Sequence, residues 1–412
     1  MSPNQETVLT VVLAAGLGVR MKSRRPKVLH ELCGRPMLAY VLDAAREVGC
    51  ERPLVVYSRA TAEVREAFAE EADFALQEAP LGTADALRAA LAAAPSGGDT
   101  AASEVLVLSG DVPLVQSDLL AELVDLRRAR GAAVALVAVQ ALEPEGLGRV
   151  VRSDDGSQVL RIVEEKDATP EELEIAEVNA GVYAFDAAWL RSRIGDVKAS
   201  PVTGEFYLPA LVGLAREDRR PVVSLEVEDD GTLAGVNDRS QLAAAEMELR
   251  TEINERHMLA GVTMIDPTRT YVDATVELEP DVVLEPGVIL KGTTCIGTGT
   301  RIGAGSQIFD TVVGRDCVIW ASVLESSLVE DEVQIGPFSH LRPGSSIGRK
   351  ARLGNFAEVK ASRLEPGVQQ HHFSYIGDAE VGEKTNIGAG TITCNYDGTR
   401  KHKTKIGKGV FL

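Results

Sequence analysis

Val272-Asp273-Ala274-Thr275-Val276-Glu277-Leu278-Glu279-Pro280-Asp281-Val282-Val283-Leu284-Glu285-Pro286-Gly287-Val288-Ile289-Leu290 carries an aliphatic residue at every sixth position, and the spacing runs on through Ile296, Ile302 and Ile308. After a change of phase, Ile335, Leu341, Ile347, Leu353 and Val359 resume it. Neither a helix, with a period of about 3.6, nor an alternating strand, with a period of about 2, spaces apolar residues this way. A parallel β-helix does, because each short strand sends one aliphatic side chain inward and small residues such as Gly287, Gly299 and Gly305 turn the corners. A solenoid is therefore expected over residues 263–412. Solenoid architecture alone specifies no chemistry.

Upstream the texture is different. Over residues 1–240 short apolar runs alternate with helical patterns: Leu54-Val55-Val56-Tyr57, Val105-Leu106-Val107-Leu108 and Val134-Ala135-Leu136-Val137-Ala138-Val139 read as central strands, and Ala84 to Ala94 as a helix between two of them. This order predicts an α/β doubly wound, Rossmann-like domain with a mostly parallel sheet. Between the halves, Gln241 to Ala260 reads as one polar helix with Leu242, Leu249 and Ile253 on its drier side, which makes residues 241–262 a linker.

Length and composition narrow the function classes. A chain of 412 residues exceeds one compact core, and a net charge of −18 argues against nucleic acid or an anionic membrane as the main partner. The five cysteines, Cys33, Cys50, Cys295, Cys317 and Cys394, show no paired spacing for a disulfide scaffold or a zinc site. The apolar run from Val8 to Ala15 lacks a basic flank and is too short to span a bilayer, so a cytoplasmic enzyme is expected.

Within the first domain, Val11-Val12-Leu13-Ala14-Ala15-Gly16-Leu17-Gly18-Val19-Arg20-Met21, continuing to Pro26-Lys27, has the form of a buried strand that turns into a phosphate-cradling loop. Small residues let backbone amides approach a phosphate, and Arg20 and Lys27 can set positive charge on its oxygens. The loop lacks both the Gly-Lys-Ser/Thr ending of a Walker A sequence and the third glycine of a dinucleotide fingerprint. Ser109-Gly110-Asp111-Val112-Pro113 follows a strand at the edge where such sheets bind ligands, and Asp111 emerges there.

These pieces, taken in order, resemble the bifunctional family that combines N-acetylglucosamine-1-phosphate uridylyltransferase with glucosamine-1-phosphate N-acetyltransferase. The first-domain matches are Leu13-Ala14-Ala15-Gly16-x-Gly18-x-Arg20-Met21, Pro26-Lys27-Val28-Leu29, Gln77 with Leu81-Gly82-Thr83, and Gly110-Asp111-Val112-Pro113-Leu114. They continue through Gly148-Arg149-Val150, Ile162-Val163-Glu164, Asn179-x-Gly181, Gly204-Glu205-Phe206-Tyr207 and Gly235-Val236-Asn237. In the second half the matches are Leu341-Arg342-Pro343-Gly344, Gly354-Asn355-Phe356-x-Glu358-x-Lys360, His372-Phe373-Ser374-Tyr375 and the run from Asn386 to Gly398.

The resemblance implies UTP, N-acetylglucosamine 1-phosphate, glucosamine 1-phosphate and acetyl-CoA as substrates, a homotrimer, and a left-handed β-helix of hexapeptide repeats. It implies that Leu13, Ala14, Ala15, Gly16, Ser109 and Gly110 line the nucleotide, that Gln77 with Gly82 and Thr83 reads the uracil, and that Arg20 and Lys27 neutralise the phosphates. Asp111 and Asn237 would hold one Mg²⁺ through oxygen ligands, and Gly148, Glu164 and Asn179 would hold the sugar. In the solenoid it implies His372 as the general base, Arg342 and Lys360 on the sugar phosphate, and Tyr375 and Asn386 on the sugar. Ala389, Asn395, Tyr396 and Lys401 would stand at the acetyl-CoA pocket.

The sequence departs from the family pattern at Asp85, in place of a usual His, at Leu147, in place of a common Tyr, and at Tyr57-Ser58-Arg59, in place of a Gly-His-Gly turn. His371 beside His372 is also unusual. Neighbouring residues on a strand face opposite ways, so only one of the pair is expected to point at substrate, and its spacing from Lys360 favours His372. Phe411-Leu412 stops in mid-coil, from which a truncated chain with impaired acetyl transfer is expected. Two other readings are a single-function sugar nucleotidylyltransferase with a regulatory β-helix, and a non-catalytic trimerising protein.

Overall fold

The computed structural model describes residues 8–94, 102–142 and 144–412. The chain forms two compact units, Met1–Ala245 and Glu246–Leu412. The division falls inside the helix Arg239–Leu259. Among the described residues no helix is long and apolar enough to cross a membrane.

The first unit is built on a sheet of β1 (Val8–Leu13), β2 (Leu54–Ser58), β3 (Asp73–Gln77), β4 (Glu104–Ser109), β5 (Val134–Gln140), β6 (Arg149–Arg152), β7 (Val159–Val163), β8 (Glu177–Asp186) and β9 (Val222–Glu228). The main path runs β9-β5-β8-β4-β1-β2-β3, with β6 and β7 as a side ribbon on β8. β1 pairs in parallel with β2 and β4, Val11 opposite Leu54 and Leu13 opposite Ser109. Alternate residues serve opposite faces, so Val11 and Val107 join one buried cluster while Val12 and Leu108 join the other. Burial on both faces explains why these strands read as unbroken apolar runs. The expected helix is present as Thr83–Ala93, between β3 and β4.

β8 runs antiparallel to both β4 and β5, a reversal that apolar periodicity does not encode. Its register against β5 shifts between Asn179 and Tyr183. A bulge of this kind re-aims side chains next to functional clefts, and here it falls at Asn179.

The second unit consists of three parallel sheets made of strands two to four residues long, as in a left-handed β-helix of hexapeptide repeats. One inward ladder runs Leu284, Ile302, Ile319, Ile335, Leu353, Gln370 and Ile387, each paired with the next. The step is eighteen residues from Leu284 to Ile302, then seventeen, then sixteen to Ile335. These short coils are the change of phase seen in the sequence. Each buried aliphatic rung contributes about 1.5–3 kcal/mol. Buried Ser and Thr hydroxyls cap the corners, as where Thr294 Oγ1 donates to the Lys291 carbonyl at 2.7 Å and Ser339 Oγ to that of Gly354 at 2.6 Å. The helix is tied to the first coil by Asn254, whose amide donates to the carbonyls of Pro267 and Thr270 at 2.9 and 3.0 Å.

Candidate active sites

At the carboxyl ends of β1, β3 and β4 lies a cavity of about 420 Å³. Leu13, Ala14, Ala15, Gly16, Lys27, Gln77, Gly82, Thr83, Ser109 and Asp111 all line it. Backbone bonds from Ala14 to the Val56 carbonyl and from Gly110 to that of Leu13, each 2.9 Å, fix the loop to the sheet. Two tight approaches require glycine. Gly18 has φ 59° and a Cβ there would strike the Lys27 side chain, while Gly82 has φ 111° and packs against the Phe206 backbone. Arg20 stands outside the cavity wall, exposed on the turn Val19–Met21.

The Lys27 ammonium forms an ion pair with Asp111 and donates to Asn237 Oδ1 at 3.0 Å. Asn237 is held in turn: its N–H donates to Gln241 Oε1 at 2.8 Å, its side-chain nitrogen to the Gly235 carbonyl at 3.2 Å, and Val236 N–H to the Asp111 carbonyl at 2.8 Å. One carboxylate oxygen and one amide oxygen therefore already converge on a cation. Such a hard-oxygen pair fits an ion that keeps phosphate and water as its other ligands. Among the described residues no cluster of three or more His, Cys, Asp or Glu assembles a fuller cage.

Gly148, Glu164 and Asn179 gather outside the residues that line this cavity, with Glu164 within reach of the charge of Glu205 in its wall. Asn179 N–H donates to the Gly148 carbonyl at 2.9 Å, and a Cβ on Gly148 would lie 3.7 Å from the Glu164 carboxyl carbon. Burial, then the charges of Asp167 and Glu205, push the Glu164 carboxyl above its ordinary value.

Sequence reasoning gave no role to Glu205, which lines the cavity although its motif was visible. Nor did it find Ser58, whose hydroxyl donates to the Ala15 carbonyl at 3.0 Å and so braces the loop from the Tyr57-Ser58-Arg59 departure. At the Leu147 departure, the buried Arg149 guanidinium donates to the carbonyls of Pro144 and Leu147 at 2.6 and 2.5 Å, which ties that turn to the start of β6.

In the solenoid, Lys360 ends the strand Ala357–Lys360, and the next coil of the same sheet, Ser374–Gly377, places Tyr375 opposite Glu358 and Gly377 opposite Lys360. Arg342 pairs with Glu358 at 3.1 Å. Contact with the Lys401 ammonium, reinforced by its charge and that of Arg342, holds Lys360 below the ordinary lysine range. Lys401 thus belongs with the Arg342 and Lys360 cations. The Asn395 side-chain nitrogen donates to Asp378 at 3.0 Å and to the His402 carbonyl at 3.1 Å. Ala389 and Tyr396 are exposed, and the Tyr396 hydroxyl donates to the Gly398 carbonyl at 2.7 Å. Asn386 stands in a different sheet, opposite Gln369.

The expectation that His371 and His372 alternate along a strand is corrected. They occupy the corner between Gln369–Gln370 and Ser374–Gly377, where His372 and Phe373 both have φ 53°. The two rings lie 5.7 Å apart. His372 is exposed, while His371 is partly buried and lowered in pKa by that burial, then by His372 and Arg352.

Comparison with known proteins adds the following. Residues 10–169 match the family described as the MobA-like NTP transferase domain. The chain is 42% identical over 410 residues to the Bifunctional protein GlmU of Pelobacter propionicus, with 99% of this chain and 88% of that protein covered. It is 44% identical over 405 residues to the protein of the same name from Trichlorobacter lovleyi, with 98% and 87% covered. For that of Mycobacterium tuberculosis the figures are 41% over 415 residues, with 99% and 83% covered.

Proposed function

Because the chain belongs to the family of the bifunctional protein GlmU, we propose that its two units catalyse two steps toward one nucleotide sugar. The first unit transfers a uridylyl group from UTP to N-acetylglucosamine 1-phosphate. A phosphate oxygen of the sugar phosphate attacks the α-phosphorus, the α–β phosphoanhydride bond breaks, and pyrophosphate leaves. The attacking phosphate has a second pKa of about 6 and is already anionic, so it needs alignment and no general base. The observation that carries this reading is the convergence of the loop, Gln77 and Asp111 on one cavity with Lys27 between Asp111 and Asn237.

In this reading Lys27 and Arg20 neutralise the phosphates, Gln77, Gly82 and Thr83 hold the base, and Gly148, Glu164 and Asn179 hold the sugar. Asp111 and Asn237 would hold Mg²⁺, which when bound supplies charge neutralisation across the phosphates.

The second unit acetylates glucosamine 1-phosphate. The amine attacks the thioester carbonyl of acetyl-CoA, His372 accepts the proton lost by nitrogen, the C–S bond breaks, and coenzyme A leaves as the amide forms. The cluster of Arg342, Lys360 and Lys401 supports this reading, since crowded ammonium and guanidinium groups suit a phosphate dianion. Tyr375 and Asn386 would face the sugar, and Ala389, Asn395 and Tyr396 the acetyl donor.

The assembly proposed is a homotrimer in the cytoplasm. Trp320, Phe338, Phe356 and Phe373 are all exposed on the solenoid, and Phe338 stacks on Phe356 with centroids 5.5 Å apart. Further copies of this chain would cover such an aromatic ridge. Light scattering tests it, and a monomer at micromolar concentration would sink the trimer.

The activities are tested by pyrophosphate release from UTP, Mg²⁺ and N-acetylglucosamine 1-phosphate, and by thiol release from acetyl-CoA with glucosamine 1-phosphate. Faster turnover of another sugar phosphate or nucleotide in the first assay, with no thiol release in the second, would favour a single-function nucleotidylyltransferase.

A further inference from the structure

Gln77 ends β3 with its side chain in the cavity wall, 3% exposed. Its amide nitrogen donates to the Gly82 carbonyl at 3.1 Å and to Asp85 Oδ2 at 2.8 Å. A primary amide nitrogen has two N–H donors, and these two acceptors use both. Turning the amide over would set its oxygen against a carbonyl and a carboxylate with no hydrogen between them. The amide therefore has one orientation. Its Oε1 accepts no hydrogen bond from the described residues and is not among the buried oxygens sealed without a partner, so it is left free for a ligand in the cavity.

Asp85 lies in the first turn of the helix Thr83–Ala93, just after the N-cap Gly82. The exposed N–H groups of that turn favour a negative charge there, and an ionised carboxylate can only accept. The departure from His at this position thus places a carboxylate acceptor against the Gln77 amide nitrogen.

We propose that Asp85 is a positioning residue for base selection. By fixing the Gln77 amide it presents an acceptor to the nucleotide, favouring a pyrimidine with N–H at ring position 3 over one with a bare nitrogen there. The inference rests on the uridylyl-transfer reading of this cavity. Uracil N3–H would donate to Gln77 Oε1, whereas cytosine N3 would meet it as acceptor against acceptor. A Gln77 amide free to turn could serve either base. Of the two groups that pin it, the Gly82 carbonyl is backbone, and Asp85 is the one a substitution removes.

The test is to measure kcat and KM for UTP and for CTP by pyrophosphate release, with N-acetylglucosamine 1-phosphate as acceptor, in the unaltered chain, Asp85→Ala and Asp85→Asn. Asp85→Ala should lower the UTP-to-CTP ratio of kcat/KM about tenfold, chiefly through the KM for UTP. Asp85→Asn, whose amide oxygen can accept the same hydrogen bond, should restore most of the ratio. Equal losses with both nucleotides, leaving the ratio within about twofold, would overturn the proposal by reducing Asp85 to a support for the fold. So would an Asn variant that behaves like Ala. If the unaltered chain turns over neither nucleotide, the uridylyl reading itself fails and takes the proposal with it, a result distinct from turnover with an unchanged ratio.

Discussion

Lys27 and Asp111, 84 positions apart in the chain, form an ion pair in the wall of the first cavity, and the same ammonium donates to Asn237. Two oxygens of the cavity wall are thus kept on a cation that belongs to the protein. Asp111→Asn and Asn237→Ala should each slow pyrophosphate release by about a hundredfold or more while leaving circular dichroism unchanged, since each changes a cleft residue rather than a packed one. Near-normal release at saturating Mg²⁺ in both variants would remove them from the metal's ligands.

Lys27→Ala should separate binding from turnover. Without the ammonium, Asp111 and Asn237 are unoccupied by charge, so the free protein should bind Mg²⁺ more tightly by calorimetry. Turnover should nevertheless fall, because the phosphates lose a counter-charge. Weaker Mg²⁺ binding in this variant would mean that the lysine does not compete for those oxygens.

Glu164 provides a pH test. A carboxyl raised in the folded state holds a proton that the unfolded chain releases, so stability is lost as pH climbs from the ordinary value of about 4.3 through the raised one. Burial is the main cause, with Asp167 and Glu205 behind it. Glu164→Gln should therefore gain stability over the unaltered chain as pH rises, with the difference shrinking below the ordinary carboxylate range. Urea midpoints measured across that range decide it, and a difference that ignores pH would contradict the cause assigned.

Lys360 tests the second site. A lysine whose pKa is lowered gives up its proton below the ordinary value of about 10.4, and the Lys401 contact is the first cause here. The KM for glucosamine 1-phosphate should rise toward alkaline pH. In Lys401→Met it should be higher at neutral pH, and its alkaline rise should move upward because Lys360 regains its ordinary affinity for the proton. In the same assay His372→Ala should abolish acetyl transfer while His371→Asn retains it. The reverse order would transfer the role of base to His371.

The solenoid was legible because a six-residue period has one structural meaning. Its irregular coils were not, since loss of one residue at Ile319 and two at Ile335 reads only as a slipped pattern until the ladder is seen. Strand positions were legible from apolar runs such as Val105–Leu108, but the direction of β8 was not, because direction leaves no mark on hydrophobicity. The loop that lines the cavity after β1 announced itself through small residues. The residues that brace the site did not: Ser58 reaches the Ala15 carbonyl 43 positions away, while Gln241 and Asp85 hold Asn237 and Gln77 through single side-chain hydrogen bonds, and no apolar pattern encodes those. His371 and His372 were placed on a strand because alternation was the simplest geometry, whereas left-handed backbone at His372 and Phe373 turns a corner there.

Gln370 carries the last prediction. It occupies an inward rung between Leu353 and Ile387, fully buried, where the other coils place an aliphatic residue. Its nitrogen donates to Ser374 Oγ at 3.1 Å and to the Glu358 carbonyl at 3.3 Å, but its buried Oε1 has no partner among the described residues. A buried acceptor left unpaired costs about 1–3 kcal/mol, against about 1 kcal/mol for each hydrogen bond the amide nitrogen makes. Gln370→Leu should remove the unpaired acceptor and add apolar contact with both neighbouring rungs, which together outweigh the two bonds lost with the amide and raise stability by about 1 kcal/mol. The same amide also pins Ser374, the first residue after the His371-His372-Phe373 corner, so the variant should lose acetyl transfer while uridylyl transfer, housed in the other unit, stays unchanged. Denaturant unfolding gives the first quantity and the two assays the second. A Leu variant less stable than the unaltered chain would mean that the bonds to Ser374 and Glu358 outweigh the unpaired oxygen.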